Sequence, residues 1–291
     1  MITVRPGLPE DIPAQRELWK LAFGDSDSYL DNFYDNYYRP GRVVVLEEEG
    51  VVRSMTAWFD TDFVVPGQGE YRAAYLYAVA THPDSRGRGL AGRLLTEADE
   101  YFRSLGVSAV TTVPAEQALH DFFGANGFRE CFRLTQGELN PGQFPPPRGV
   151  RPLRFATPTE YKAVRDQLLA RQPTPYIRYP EDALTYQAGC CILDSGGLLV
   201  GEAGRGPFCL CVEGDGRGAM VCKEQLGGCT PEVWSHLFSL IPARGWTVRF
   251  APLGRLRSAC MWKFAMLKWL DPALEKSWDW NTVGYLGLAF D

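Results

Sequence analysis

Between Val79 and Ala91 the chain leaves an apolar strand, turns through Pro83-Asp84-Ser85 and enters a helix across Arg86-Gly87-Arg88-Gly89-Leu90-Ala91. That order of elements gathers unsatisfied backbone N–H groups at one point, and the helix dipole adds partial positive charge there. Gly87 and Gly89 lack the Cβ atoms that would hold an anion away. Arg86, Arg88 and Arg93 are further charge-assisted donors. The turn is therefore suited to a phosphate. It is not a Walker loop, because no Gly-Lys-Ser/Thr follows. Gly92 completes a nominal G-x-G-x-x-G, but a dinucleotide fold would place it after a first parallel strand, with an acid about 20 residues on. Here the turn lies deep in an antiparallel-looking run, and the next strand, 107–113, ends at Pro114.

The surrounding pattern predicts strands at 2–5, 43–48, 51–65, 71–81, 107–113 and 128–134. It predicts helices over 9–23, from a Ser26 or Asp27 cap through 31–38, over 89–105 and over 115–126, with Gly106 and Gly127 as stops. The order β-α-α-β-β-β-α-β-α-β is a mixed α/β layer. Pro145-Pro146-Pro147 marks 141–152 as a linker. Beyond it, helices are expected at 159–171, 181–188 and 231–243, and strands at 198–202, 209–213, 218–222 and 247–250. That order loosely echoes the first half, although nothing like the Arg86–Ala91 loop recurs. The expected division is 1–140, a linker at 141–152, and a degenerate duplicate at 153–291.

Charge and cysteine usage narrow the partners. The net charge is -5, and residues 1–150 carry 14 Lys and Arg against 21 Asp and Glu. That balance argues against a nucleic-acid partner. The 8 cysteines form no C-x-x-C pair, so spacing predicts no metal site. Cys190-Cys191 and Cys209/Cys211 read as small apolar core residues in a reducing compartment. With no leader-like start and no long apolar run, a soluble cytoplasmic protein without membrane contact is expected.

Residues Val79 to Ala91 resemble the signature region of the Gcn5-related N-acetyltransferase (GNAT) superfamily, whose loop is Q/R-x-x-G-x-G/A. Arg86, Gly89 and Ala91 fill its fixed positions. Phe122-Phe123-Gly124-Ala125-Asn126-Gly127-Phe128 is similar to the family's second landmark, and Val4-Arg5 with Asp11-Ile12 fits its opening. The resemblance covers about residues 1–135. It implies a GNAT fold with a mixed, largely antiparallel sheet, acetyl-CoA as acyl donor and no metal. Main-chain groups of Tyr77, Ala78, Val79, Ala80 and Thr81 would hold the pantetheine arm, with an N–H near Tyr77 or Val79 polarising the thioester. The N–H groups of Gly87, Arg88, Gly89, Leu90 and Ala91 would hold the pyrophosphate, and Phe123 would border the donor. The acceptor is then a primary amine of a small molecule or peptide, attacking directly. A tandem arrangement would place this chain near the enhanced-intracellular-survival-type acetyltransferases.

Two departures stand out. Many relatives carry Tyr at the place of Phe123, as general acid, and histone-modifying relatives carry Glu at the place of Ala73, as base. Tyr77 and Tyr75 are the alternative acids, or else packed aromatics. His82, His120 and Glu116 are weaker candidates for a base. By the tandem resemblance Asp291, through its terminal carboxylate, is a candidate base, against a tail that is only a structural strand. Asp25, Asp27, Asp31 and Asp35, interleaved with aromatics, border the acceptor side, either as a binding surface or as the outward face of an amphipathic helix. Trp58 and Phe59 on the neighbouring strand are similarly ambiguous. The rival to an enzyme is a non-catalytic acyl-CoA sensor. An aminoacyl transferase would need tRNA binding, which the acidic charge opposes. Oligomeric state is open.

Overall fold

The computed structural model describes residues 1–251 and 261–290. Its first half runs β1 (Ile2–Pro6), α1 (Ile12–Phe23), α2 (Asp27–Asn36), β2 (Val43–Glu48), β3 (Val51–Val65), β4 (Gly69–Thr81), α3 (Leu90–Ser104), β5 (Ala109–Thr112), α4 (Gln117–Ala125) and β6 (Arg129–Leu139). The second runs β7 (Leu153–Phe155), α5 (Pro158–Leu169), β8 (Tyr176–Arg178), α6 (Glu181–Leu193), β9 (Gly197–Ala203), β10 (Gly206–Gly214), β11 (Met220–Gly227), α7 (Pro231–Leu240), β12 (Trp246–Phe250), β13 (Met261–Trp269) and α8 (Pro272–Ser277). No helix among the described residues is long and apolar enough to cross a membrane.

One sheet spans both halves in the order β1-β2-β3-β4-β5-β13-β6-β12-β11-β10-β9-β7, with β8 added beside β3. Among the described strand pairs only β4 with β5 and β11 with β12 are parallel. The sheet thus reads alike from its two ends, except that the last strands are exchanged. β13 lies between β5 and β6, whereas β6 lies between β13 and β12. The expected mixed, largely antiparallel sheet is present.

Strand alternation divides the core into layers. Val43 and Val45 of β2 belong to the core layer that also holds α1, α2, α5 and α6, whereas Val44 and Leu46 belong to the layer under α3. In β10, Cys209 and Cys211 join the first layer, and Phe208, Leu210 and Val212 pack with α7. The cysteines are therefore small core residues, as their alternation predicts. One contact was hidden from spacing: Cys191 of α6 and Cys211 meet at 3.6 Å beside Glu213, which Lys223 pairs at 2.7 Å, all buried.

The last described residues run through the core. Gly284 bridges Phe132 and Tyr285 bridges Tyr176, so the tail threads between β6 and β8. A fully buried ion pair fastens it. Arg165 of α5 donates to Glu224 of β11 at 2.8 and 3.1 Å, and also to the carbonyls of Ile177 (2.9 Å) and Leu286 (3.4 Å). Tyr161 and Tyr285 donate to the same carboxylate at 2.7 and 2.8 Å. Gly287, with φ +76, is required there, because a Cβ would lie 2.2 Å from the Glu224 carboxylate. The apolar tail expected to pack does so: Tyr285 to Phe290 are buried.

Candidate active site

β4 and β5 pair from Ala73/Ala109 to Leu76/Thr112, after which β4 continues alone to Thr81. On its other side, Ala57 faces Tyr77 but Met55 faces Ala80, so β4 carries one extra residue there. Ala78 absorbs that bulge in the left-handed region, at φ 49. A bulge re-aims side chains and main-chain groups at a strand end, here beside the opening between the two parallel strands.

A cleft of about 680 Å³ occupies that opening. At one end are Arg86 and Ala91, which flank the two glycines of the loop. Gly89 caps α3 with φ 74 and supplies no side-chain oxygen, so the first N–H groups of the helix are left for an outside acceptor. Gly87 has φ 73, and a Cβ at either glycine would meet no atom within 4 Å. The space an anion needs is therefore present. Arg86 lines the cleft and donates to the Thr81 carbonyl at 3.2 Å. Arg88 is instead held by Glu48 at 2.6 and 2.9 Å, and Arg93 by Glu97 at 2.7 Å. α7, which joins the other parallel pair, β11 and β12, differs: Thr230 caps it from its own side chain and Pro231 removes an N–H.

Val79, Thr81, Ala91 and Phe123 also line the cleft, whereas Ala80 and Leu90 are buried in the two core layers on opposite faces of the sheet. Phe123 packs edge-on against Phe122 and Phe128. Ala73 is fully buried. His120 is engaged with Glu130 at 2.8 Å.

The other end of the cleft is aromatic. Tyr77 reaches Tyr29 (3.0 Å) and Tyr186 of the second half (2.9 Å) through its hydroxyl. Burial pushes all three phenols up, so they remain protonated at neutral pH. Tyr77 is accordingly a possible proton donor and not a base. Phe290 stacks on Tyr75 at 5.6 Å and 19°, packs 4.1 Å from Phe59, and donates its N–H to the Tyr75 hydroxyl at 3.3 Å. Asp291 lies outside the described residues. Of the four candidate acids before and in α2, only Asp25 lines the cleft; Asp27 and Asp31 pair with Arg16 at 3.2 and 2.7 Å. Trp58 packs on Phe102 beneath α3 instead. Sequence reasoning did not single out Tyr186 or Phe290, because only the tertiary fold brings α6 and the tail to β4.

Residues 3–128, which include the loop and the bulged strand, match the family model of the acetyltransferase (GNAT) domain. No curated protein matches the chain in sequence. Among solved structures, Eis1 from Mycobacterium abscessus is similar over 92% of this chain and 74% of its own, with TM-score 0.66 and 11% identity. A GCN5-related N-acetyltransferase from Anabaena variabilis covers 93% and 73%, with TM-score 0.69 and 15% identity. A probable N-acyltransferase from Enterococcus faecalis covers 93% and 73%, with TM-score 0.67 and 14% identity. At these identities the likeness establishes a shared fold across both halves.

Proposed function

We propose that the chain is an N-acyltransferase that moves an acetyl group from acetyl-CoA to a primary amine of a small molecule or peptide. One observation carries the reading: a single cleft joins an uncapped, Cβ-free helix N-terminus to an aromatic chamber across the separated ends of β4 and β5. In this reading the N–H groups of Gly87 to Ala91 and Arg86 bind the pyrophosphate. Main-chain groups around the Ala78 bulge hold the pantetheine arm and polarise the thioester carbonyl. Acetyl-CoA supplies an activated acyl group.

The acceptor sheds its ammonium proton to the base, the neutral nitrogen bonds to the acyl carbon, the carbon–sulfur bond breaks, and the nitrogen gives up its second proton to water. The thiolate then leaves as such or takes a proton from Tyr77, which regains one from water, since Phe123 has none to give. Catalysis is mainly positioning of the two reactants. Asp291 is the proposed base; its support is that the preceding Phe290 lines the cleft and is anchored to Tyr75. The second half, 153–291, acts as a duplicated domain that walls the acceptor side, supported by its mirrored strand order and by Tyr186 and Phe290.

Thiol release from acetyl-CoA over a panel of amines tests the assignment. Turnover with any amine excludes the sensor, and acetyl-CoA binding without turnover favours it. Tyr77→Phe is expected to lower kcat roughly 10- to 100-fold at unchanged KM for acetyl-CoA. Equal rates in the variant would remove Tyr77 as acid and leave the thiolate to depart unprotonated. Removal of residue 291 should cost roughly tenfold or more in kcat. No loss on removal would dismiss the base.

A further inference from the structure

The chamber beyond β4 has a definite chemical character. Its walls are Trp19, Phe23, Tyr29, Tyr77 and Phe290, and Asp25 is the one carboxylate lining the cleft among the described residues. The only Lys or Arg in that lining is Arg86, which belongs to the glycine-loop end. Asp25 is half-buried and accepts the Trp19 indole N–H at 2.8 Å through Oδ2. Among the described residues its Oδ1 takes no hydrogen bond, so one carboxylate oxygen is left to meet a cation beside aromatic faces.

Exposure gives a second, independent pointer. Phe23 is 49% exposed and Leu119 36% exposed, and both line this cleft. Large apolar side chains left open at a cleft mark a place where an apolar ligand is covered. Among the described residues, Phe23 has ring contact with the core only through Trp19, edge-on at 6.5 Å.

We propose that the acceptor is a primary monoamine on an aromatic frame, carrying neither a carboxylate nor a second ammonium group. This rests on the acyl-transfer reading above. The ring lies among Trp19, Phe23 and Phe290, and the ammonium form docks on Asp25 with help from the ring faces. Asp25 is the one carboxylate among the described lining residues, and Asp291 is engaged as the base in the acyl-transfer reading, so a second ammonium would be desolvated unpaired, which is costly. A free amino acid would bring a carboxylate to a chamber whose described lining holds no cation at that end.

The test uses the full chain at saturating acetyl-CoA, with phenethylamine, tryptamine, spermidine and lysine as acceptors and acetyl-CoA binding followed separately by calorimetry. The two arylalkylamines are expected to exceed spermidine and lysine in kcat/KM by about a hundredfold, the size of one unpaired buried charge or more. Asp25→Asn should lower kcat/KM for phenethylamine roughly tenfold, through KM for the amine and not for acetyl-CoA. Phe23→Ala, at a half-exposed position, should lower kcat/KM for the arylalkylamines by a larger factor than for spermidine. Preference for spermidine or lysine would overturn the aromatic class and leave acyl transfer standing. No turnover with any of the four despite acetyl-CoA binding would overturn both, and no acetyl-CoA binding would overturn the parent reading and this one with it.

Discussion

Arg165→Met is expected to destabilise the protein by about 3–5 kcal/mol, the cost of leaving a buried carboxylate without its cation. Arg165 and Glu224 are both 0% exposed, and their side chains satisfy one another and the tail at once. Burial by itself would lower the guanidinium's pKa, but Glu224 beside it holds it well above the ordinary value, so Arg165 stays charged. The double change Arg165→Met/Glu224→Leu should recover much of the loss, because a neutral, well-packed pair can match a buried ion pair. Urea denaturation followed by fluorescence gives the comparison. A single variant as stable as the parent would mean the pair contributes nothing. A double variant as unstable as the single would mean that shape, not charge, holds this part of the core.

The same variants carry a functional signature. Leu286 and Tyr285 are the tail residues bonded to the pair, and Phe290 lies only a few residues beyond, at the cleft. In the folded fraction the double variant should therefore bind acetyl-CoA normally and show a raised KM for the amine. A defect confined to acetyl-CoA would break the proposed link between tail and acceptor chamber.

What the sequence made legible follows from how local each signal is. The helix over 90–104 is written in Leu90, Leu94, Ala98 and Phe102, with Gly106 at φ 76 as its stop, and needs no partner to be read. β13 shows the opposite case. Met-Trp-Lys-Phe-Ala-Met-Leu-Lys-Trp has no β-branched residue and several strong helix formers, and no strand was expected there. It is extended because β5 and β6 flank it on both edges, a tertiary demand that overrides propensity. β8 and β7, each only three residues long, are likewise defined by their neighbours. In the site, the glycine loop and Phe123 were visible as motifs. The Tyr77–Tyr186 contact joins positions 109 apart and has no sequence signature. The roles of the arginines also needed the structure: three were available to a phosphate by spacing, yet Glu48 and Glu97 hold Arg88 and Arg93.

That division of the arginines makes the loop itself testable. In the double variant Gly89→Glu/Ala91→Glu, acetyl-CoA affinity is expected to fall by at least about a hundredfold, beyond the roughly 1–2 kcal/mol of a lost dipole contact. Two carboxylates would then stand at the helix N-terminus, where the dipole favours them, and would occupy the open space beside Gly89. Gly89 sits at φ 74, so part of any loss there is backbone strain. Ala91→Glu alone avoids it, being a helical position where Glu is well tolerated, and should still cost roughly tenfold by like-charge repulsion with the pyrophosphate. Arg88→Ala should change affinity by no more than about twofold, because its guanidinium is already held by Glu48 and an exposed pair is worth little. Arg86→Ala should cost roughly tenfold, the value of a charge-assisted bond. Calorimetry on the four variants separates the contributions. Affinity unmoved by the two glutamates would remove the pyrophosphate from this loop. A large loss in Arg88→Ala would mean that Glu48 releases its arginine when the ligand arrives.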